Sequence, residues 1–165
     1  MAEEIWVWLE NHQEGIDDSV YGLLEEADKW RSGLSAETEL VVIAFGFGIK
    51  EPVEQAGLGL ADRVVLYDDL QLDHYQREAY AQILSDLHTT IKPSAFFMAE
   101  SDQTRDLAPR LAAQTESILF TRAVDLKLDP ENGLSVVRPV SGGFLFEEVC
   151  CQQDRPMIVN FIPSV

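Results

Sequence analysis

Residues 40–47 read Leu-Val-Val-Ile-Ala-Phe-Gly-Phe and are apolar at every position. A strand with apolar side chains on both of its faces is typical of the interior of a parallel sheet that has helices above and below it. This stretch therefore predicts an α/β fold: an open, mostly parallel sheet in three layers, with helices on both faces.

The segments around this strand alternate in the way that such a fold requires. Apolar residues also recur at helical spacing between the short apolar runs. Further strands are predicted at residues 4–10, 63–67 and 95–99, and helices after residue 18 up to Gly33, at residues 51–56, at residues 75–91 and at residues 102–113. Residues 11–15 are expected to form a loop.

Aspartates precede three of these helices, and a carboxylate there can accept a hydrogen bond from a free backbone N–H. We expect Asp17 or Asp18, Asp73 and Asp102 to act as N-caps. The helical period disappears after residue 117, and the apolar runs become β-like. Residues 118–128, 134–140, 144–151 and 157–162 are expected to add antiparallel strands at the edge of the sheet, with a reversal at Gly142 and Gly143.

The composition fits a single domain spanning residues 1–165. Hydrophobic residues make up 46% of the 165 and charged residues 25%, and neither an internal repeat nor a linker occurs. The adjacent Cys150 and Cys151 cannot cross-link distant segments. We expect both to be reduced, with one side chain facing the core and the other facing outward.

The charge is strongly negative, with 12 Lys and Arg residues against 29 Asp and Glu residues, a formal net charge of −17. The negative electrostatic field of such a protein repels nucleic acid and anionic lipid surfaces. No apolar run is long enough to cross a bilayer, and the first residues lack the positive charge of a secretory signal. These features predict a cytoplasmic protein without nucleic-acid or membrane partners.

Few residues carry a catalytic pattern, so no catalytic residue and no metal site is predicted. His88 is expected to be solvated on its helix, whereas His12 and His74 lie near strand ends, where sites form in open α/β sheets. Gly46 and Gly48 follow a strand, where a tight turn or a phosphate loop could lie. The candidates for cofactor binding are His12, Gly46, Gly48, Ser101 and Thr104.

Residues 105–113, Arg-Asp-Leu-Ala-Pro-Arg-Leu-Ala-Ala, place two arginines near a helix N-terminus, against the helix dipole. This string, the opening strand with its loop to Gly15, residues 138–143 and residues 155–157 together resemble the N-terminal domain of electron transfer flavoprotein alpha subunits. The matched segments occur in the same order over essentially the whole chain. The interface or structural residues carried by the resemblance are Arg105, Asp106, Pro109, Arg110, Arg138, Gly142, Gly143 and Arg155.

The resemblance implies a fold like that of adenine nucleotide alpha hydrolases and universal stress proteins. It also implies a heterodimer with a beta-type subunit and FAD-dependent electron transfer from dehydrogenases. In that family the flavin is held chiefly by a second alpha-subunit domain, so this chain alone is not expected to hold FAD. A separate FAD-binding polypeptide or a homodimer could supply that function. The chain departs from the family in the acidic loop at residues 100–102 and in Phe144 after the glycine pair.

Three functional hypotheses follow. The first is a scaffold domain without its own catalytic residues that docks a beta-type subunit. The second is a stand-alone module that binds AMP over the strand ends near residues 10–15, 45–49 and 99–105, although the acidic loop opposes a phosphate there. The third is a hydrolase or transferase that uses His12, His74 or Ser101 as its base or nucleophile.

Overall fold

The computed structural model describes residues 3–12, 15–34, 37–129, 133–151 and 155–162. Strands and helices alternate over the first two thirds of the chain, and strands dominate the last third. The strands are β1 (Glu4–Leu9), β2 (Asn11–His12), β3 (Gly15–Ile16), β4 (Glu39–Gly46), β5 (Arg63–Asp68), β6 (Ala95–Ala99), β7 (Ile118–Ala123), β8 (Asp125–Asp129), β9 (Gly133–Val140), β10 (Leu145–Cys151) and β11 (Met157–Phe161). The helices are α1 (Ser19–Ser32), α2 (Lys50–Gln55), α3 (Arg77–Ile91) and α4 (Asp102–Thr115).

Six strands form a parallel sheet in the order β5-β4-β1-β6-β11-β7. The central strands are buried on both faces, because alternate side chains point to opposite sides of a sheet. In β4, Leu40, Val42 and Ala44 pack toward α1, whereas Val41 and Ile43 pack toward α3 and α4. The predicted three-layer α/β fold is confirmed.

The last third of the chain divides between two sheets. Strands β8, β9 and β10 are antiparallel, as expected, but they form a separate sheet instead of extending the edge of the main one. Leu134 and Val136 of β9 join the core on the α1 side. However, β7 and β11 belong to the parallel sheet, and β11 lies between β6 and β7. The prediction of antiparallel edge strands at residues 118–128 and 157–162 is wrong for β7 and β11, because β7 pairs parallel to β11 and the fully buried β11 pairs parallel to both β6 and β7.

Several helix and turn boundaries differ from the expected ones. Helix α3 begins at Arg77 after Gln76, and Asp73 ends a short 3₁₀ turn at Leu70–Leu72 instead of capping the helix. Asp17 accepts a hydrogen bond from the Ser19 N–H at 2.8 Å, whereas the Asp18 side chain caps nothing. The expected loop at residues 11–15 contains the short strands β2 and β3, which pair antiparallel.

Candidate functional site

The carboxyl ends of β1 and β6 form the point at which the sheet changes its direction of growth. The chain adds β4 and β5 on one side of β1 and then crosses to β6 on the other side. Ligands of open α/β folds bind in the crevice that opens at such a point. Glu10 follows β1 here, and Ser101 follows β6 at the start of α4.

Ser101 and Thr104 close the N-terminus of α4 with a reciprocal pair of hydrogen bonds. The Thr104 N–H donates to Ser101 Oγ at 3.1 Å, and the Ser101 N–H donates to Thr104 Oγ1 at 2.9 Å. The N-cap is therefore Ser101, and the expectation that Asp102 caps this helix is wrong. The extended backbone of Ser101 brings its oxygen over the first turn, whereas Asp102 already belongs to the helix.

Glu10 fills the space in front of this helix end. Its side chain is 8% exposed and accepts a hydrogen bond from Ser101 Oγ at 2.6 Å. Burial raises the pKa of Glu10, which the hydrogen bond from Ser101 only partly opposes. A helix N-terminus can hold an anion, but at this one a carboxyl group of the protein already binds the capping hydroxyl of Ser101.

In the loop after β4, a carboxylate accepts directly from backbone N–H groups. The Gly48 N–H donates to Asp68 Oδ1 at 2.7 Å, and the Lys50 N–H donates to Asp68 Oδ2 at 3.1 Å. Gly48 has a positive φ of 68°, and a Cβ on Gly46 would lie 2.7 Å from Ile49 Cγ2. Both glycines thus serve a tight turn, and its backbone donors face a carboxylate from β5.

The histidines lie in two different environments. His12 and His74 line one cleft of about 480 Å³, together with Gly48. His12 Nε2 lies 3.1 Å from Asp17 Oδ2, and His74 is exposed beside Asp73. The expectation that His88 is solvated is wrong: its side chain is 3% exposed, and burial lowers its pKa to about 4.

The structure does not bring all the candidates for cofactor binding together. Ser101 and Thr104 contact each other, but neither they nor Gly46 line the cleft that contains His12 and Gly48. The sequence does not reveal the contacts of Glu10 and Asp68, because their hydrogen-bond partners lie 91 and 20 residues away along the chain. Within the described ranges, no three His, Cys, Asp or Glu side chains form a group that could hold a metal ion.

The arginines of α4 are paired with acidic residues of the same helix. Arg105 forms a salt bridge with Asp102, and Arg110 Nε lies 3.8 Å from Asp106 Oδ1. Asp106 also accepts a hydrogen bond from the Tyr75 hydroxyl at 2.8 Å, which links α4 to the segment before α3. Pro109 lies in the interior of the helix and removes one donor there.

The remaining motif residues lie on or near the antiparallel sheet and β11. Arg138 of β9 forms a salt bridge with Glu147 on β10. Gly142 and Gly143 reverse the chain between these strands with φ values of 71° and 91°. Arg155 is exposed shortly before β11. In β10, Cys150 is exposed and Cys151 partly buried, so their side chains face opposite ways, as expected.

Three apolar side chains follow the glycine reversal and lie in solvent. Phe144 is 89% exposed, Leu145 61% and Phe146 64%. We call Phe144, Leu145 and Phe146 the hairpin tip. Strand β10 pairs only with β9, and no strand of the described chain pairs with its other edge. Exposed aromatic residues beside a free strand edge are typical of a surface that a partner covers.

Comparisons with known proteins agree with one another. A family model described as "Electron transfer flavoprotein domain" matches residues 5–165. Protein FixB of Clostridium saccharobutylicum is 29% identical over 163 residues, which cover 98% of this chain and 48% of that protein. Electron transfer flavoprotein subunit alpha of Megasphaera elsdenii is 29% identical over 162 residues, covering 98% and 47% respectively.

A third relative is named as an electron transfer subunit of another enzyme. The acryloyl-CoA reductase electron transfer subunit beta of Anaerotignum propionicum is 25% identical over 185 residues, covering 98% of this chain and 50% of that protein. The chain thus spans about half the length of these curated relatives. Among the described residues, no helix combines the length and apolar character needed to cross a bilayer.

Proposed function

This chain belongs to the electron transfer flavoprotein domain family, and from that membership we propose that it is a scaffold domain of the alpha type. In this proposal it docks a beta-type subunit and supports a flavin that another part of the complex holds. The observation that carries the proposal is the exposed hairpin tip beside the free edge of β10.

The tip has the physical character of a docking surface. Three consecutive apolar side chains, two of them aromatic, lie largely in solvent. Large aromatic residues dominate the energetics of protein interfaces, because they bury much area with little loss of side-chain freedom. No contact within the described chain accounts for an exposed Phe-Leu-Phe sequence.

Side-chain contacts between β9 and β10 stabilise the hairpin that carries the tip. Arg138 and Glu147 form a salt bridge across β9 and β10, and Ser135 donates a hydrogen bond to Glu148 at 2.5 Å. These contacts support both strands up to the glycine reversal. A preorganised tip loses less conformational freedom on binding than a flexible one.

The flavin is better placed elsewhere, because the residues of this chain fit a nucleotide phosphate poorly. At the α4 N-terminus the capping Ser101 hydroxyl donates to Glu10, and in the loop after β4 the backbone N–H groups of Gly48 and Lys50 donate to Asp68. Two carboxyl groups there would repel a phosphate. We therefore assign no flavin-dependent step to residues of this chain.

The same contacts weigh against the alternative of a stand-alone AMP-binding module. Glu10 accepts a hydrogen bond from the Ser101 hydroxyl at 2.6 Å, and an adenylate in the β1–β6 crevice would have to displace Glu10 from this position. A hydrolase or transferase also lacks support, because Ser101 bonds to Glu10 and Thr104 and not to His12 or His74.

The test is the affinity of the whole chain for a beta-type subunit from the same source, measured by isothermal titration calorimetry. Replacing both aromatic residues, Phe144→Ser with Phe146→Ser, should weaken the complex by roughly tenfold or more, since a buried aromatic anchor contributes about 2 kcal/mol. The control is Leu70→Ser, since Leu70 is 67% exposed on the 3₁₀ turn after β5.

Two results would contradict the proposal. If the unmodified chain forms no complex with the beta-type subunit, the docking function is wrong. If the complex forms and the double variant binds as tightly as the Leu70→Ser control, the hairpin tip is not the docking surface.

A further inference from the structure

A second concave surface lies between α1 and the carboxyl ends of β6 and β11. It is a groove of about 400 Å³, which we call the α1 groove. The wall formed by α1 and the residues before it is mainly acidic, and the floor and the opposite wall, formed by the strand ends, are mainly apolar. The apolar residues are Leu23, Ala99, Val124, Phe161 and Ile162, and the acidic ones are Asp17, Asp18, Glu25 and Glu26.

Gly22 lies on the groove wall in the first half of α1. A Cβ built on Gly22 meets no atom within 4 Å, so nothing in the described chain requires the side chain to be absent. Glycine inside a helix costs about 1 kcal/mol relative to alanine. Gly22 therefore leaves open space beside α1 on the groove wall.

The acidic wall is incompletely neutralised. Asp18 and Glu25 form no salt bridge with any described residue, whereas Glu26 pairs with Lys29 at 2.5 Å. Asp17 Oδ2 lies 3.1 Å from His12 Nε2. None of the described residues that line the groove is a lysine or an arginine. An anionic ligand would be repelled, and a cationic one attracted.

The apolar floor favours a ligand that carries apolar groups as well as positive charge. Val124 is 44% exposed on the opposite wall, where it follows β7. A small, strongly hydrated cation would gain nothing from such a surface, whereas lysine and arginine carry apolar stems as well as charge. A second copy of this chain, with a net charge of −17, would be repelled.

We propose that the α1 groove binds a segment of a partner protein in which lysine or arginine side chains stand among apolar ones. The inference rests on the proposed function only in that both require a protein partner. It concerns a different surface, because the groove shares no residue with the hairpin tip. The apolar side chains of the segment would pack on the floor and its cations would face Glu25 and Asp18.

The experiment measures binding of fluorescein-labelled 14-residue peptides to the whole chain by fluorescence anisotropy. One peptide combines lysine with leucine at helical spacing, a second replaces lysine by glutamate, and a third replaces leucine by serine. We expect the lysine–leucine peptide to bind at least tenfold more tightly than the other two. Equal binding of the lysine–serine peptide would mean that charge alone is recognised and would overturn the proposal.

A steric variant tests the position without changing the charge. Gly22→Trp should fill the groove and weaken binding of the lysine–leucine peptide by tenfold or more. Gly22→Ala adds only a methyl group to open space, so it should keep binding within about threefold and serves as the folding control. Unchanged affinity in a folded Gly22→Trp variant would overturn the proposal.

A charge-matched pair keeps the test decisive even if Gly22→Trp fails to fold. Glu25→Lys on the groove wall should weaken binding at least fivefold, whereas Glu78→Lys on α3, across the sheet, should not. Equal losses would mean that the peptide responds to the overall field, and the proposal would be wrong. The double hairpin-tip variant should bind the peptide normally, so failure of the proposed function and failure of this inference are distinguishable.

Discussion

His88 lies in the interface between α3 and the sheet, with its ring against Trp6. The two rings meet edge to face, with centroids 5.9 Å apart. His88 Nε2 lies 3.4 Å from Ser117 Oγ, a long contact for a hydrogen bond. The ring is therefore packed as an uncharged aromatic group, and burial lowers its pKa to about 4.

This environment predicts a pH-dependent stability. The pKa of His88 is 6.5 in the unfolded chain and about 4 in the folded protein, so the unfolded state binds more protons between these two pH values. The free energy of unfolding should fall as the pH drops through this interval, by up to about 1.4 kcal/mol per pH unit from this residue. His88→Phe should reduce that slope, as measured by urea denaturation from pH 4 to pH 7.

The control for this measurement is Leu87→Ala, a partly buried neighbour on the same helix that leaves the imidazole in place. It should lower stability at every pH without changing the slope. Glu10, whose pKa is raised by burial, contributes a slope of opposite sign and is present in both variants. A His88→Phe slope equal to that of the unmodified protein would contradict the prediction.

At the scale of elements, the start of α4 is the best-supported helix end among the described residues. Ser101 accepts from the Thr104 N–H and donates to Glu10, while Thr104 Oγ1 donates to the Ala99 carbonyl at 2.6 Å. These bonds join the ends of β1 and β6 to the helix that follows β6. The helix end thereby fixes the geometry of the crevice.

Removing this cap should therefore be costly. Ser101→Ala should lower the free energy of unfolding by about 1–2 kcal/mol, because it removes the N-cap and leaves buried Glu10 without its donor. Asp102→Ala should change stability by less than about 0.5 kcal/mol, since the Asp102 side chain is 97% exposed. Chemical denaturation at neutral pH measures both. Equal losses in the two variants would contradict the assignment of Ser101 as the cap.

At the scale of the whole molecule, the net charge of −17 produces a strong negative electrostatic field around the protein. Such a field accelerates association with a positively charged surface and repels other copies of the chain. The hairpin tip and the α1 groove would then supply the short-range contacts.

This predicts a salt-dependent association rate. Raising the ionic strength from 0.01 to 0.15 M shortens the screening length from about 30 to about 8 Å. Association with the beta-type subunit should slow by roughly tenfold or more in stopped-flow measurements, while dissociation changes less. An association rate that is indifferent to salt would remove electrostatic steering from this account.

Much of the fold could be predicted from local pattern. The continuous apolar strand at residues 40–47 and the helical spacing of Val20, Leu23, Leu24 and Ala27 correspond closely to β4 and the buried face of α1. The glycine reversal at residues 142–143 was also found, because positive φ favours glycine. These features depend on residues within one turn or strand, which is the range over which sequence periodicity carries information.

The candidate site was only partly predictable. The loops after β4 and β6 were correctly expected at one edge of the sheet, because the carboxyl ends of parallel strands meet there. The acidic side chains at these loops could not be predicted, because they come from other strands. Glu10 contacts Ser101 from the end of β1, and Asp68 contacts Gly48 from the end of β5. Nor does a helical period reveal that His88 faces Trp6 instead of water.

The sequence by itself determined the alternation of strands and helices, the acidic surface and the family resemblance. The tertiary structure alone decided the place of β11 between β6 and β7, the Ser101 cap, the contact of Glu10 with the Ser101 hydroxyl and the contact of Asp68 with the Gly48 N–H. The physical reason is the range of the interactions. Propensity and periodicity act between residues a few positions apart, whereas strand order and buried hydrogen bonds join residues that only the folded chain brings together.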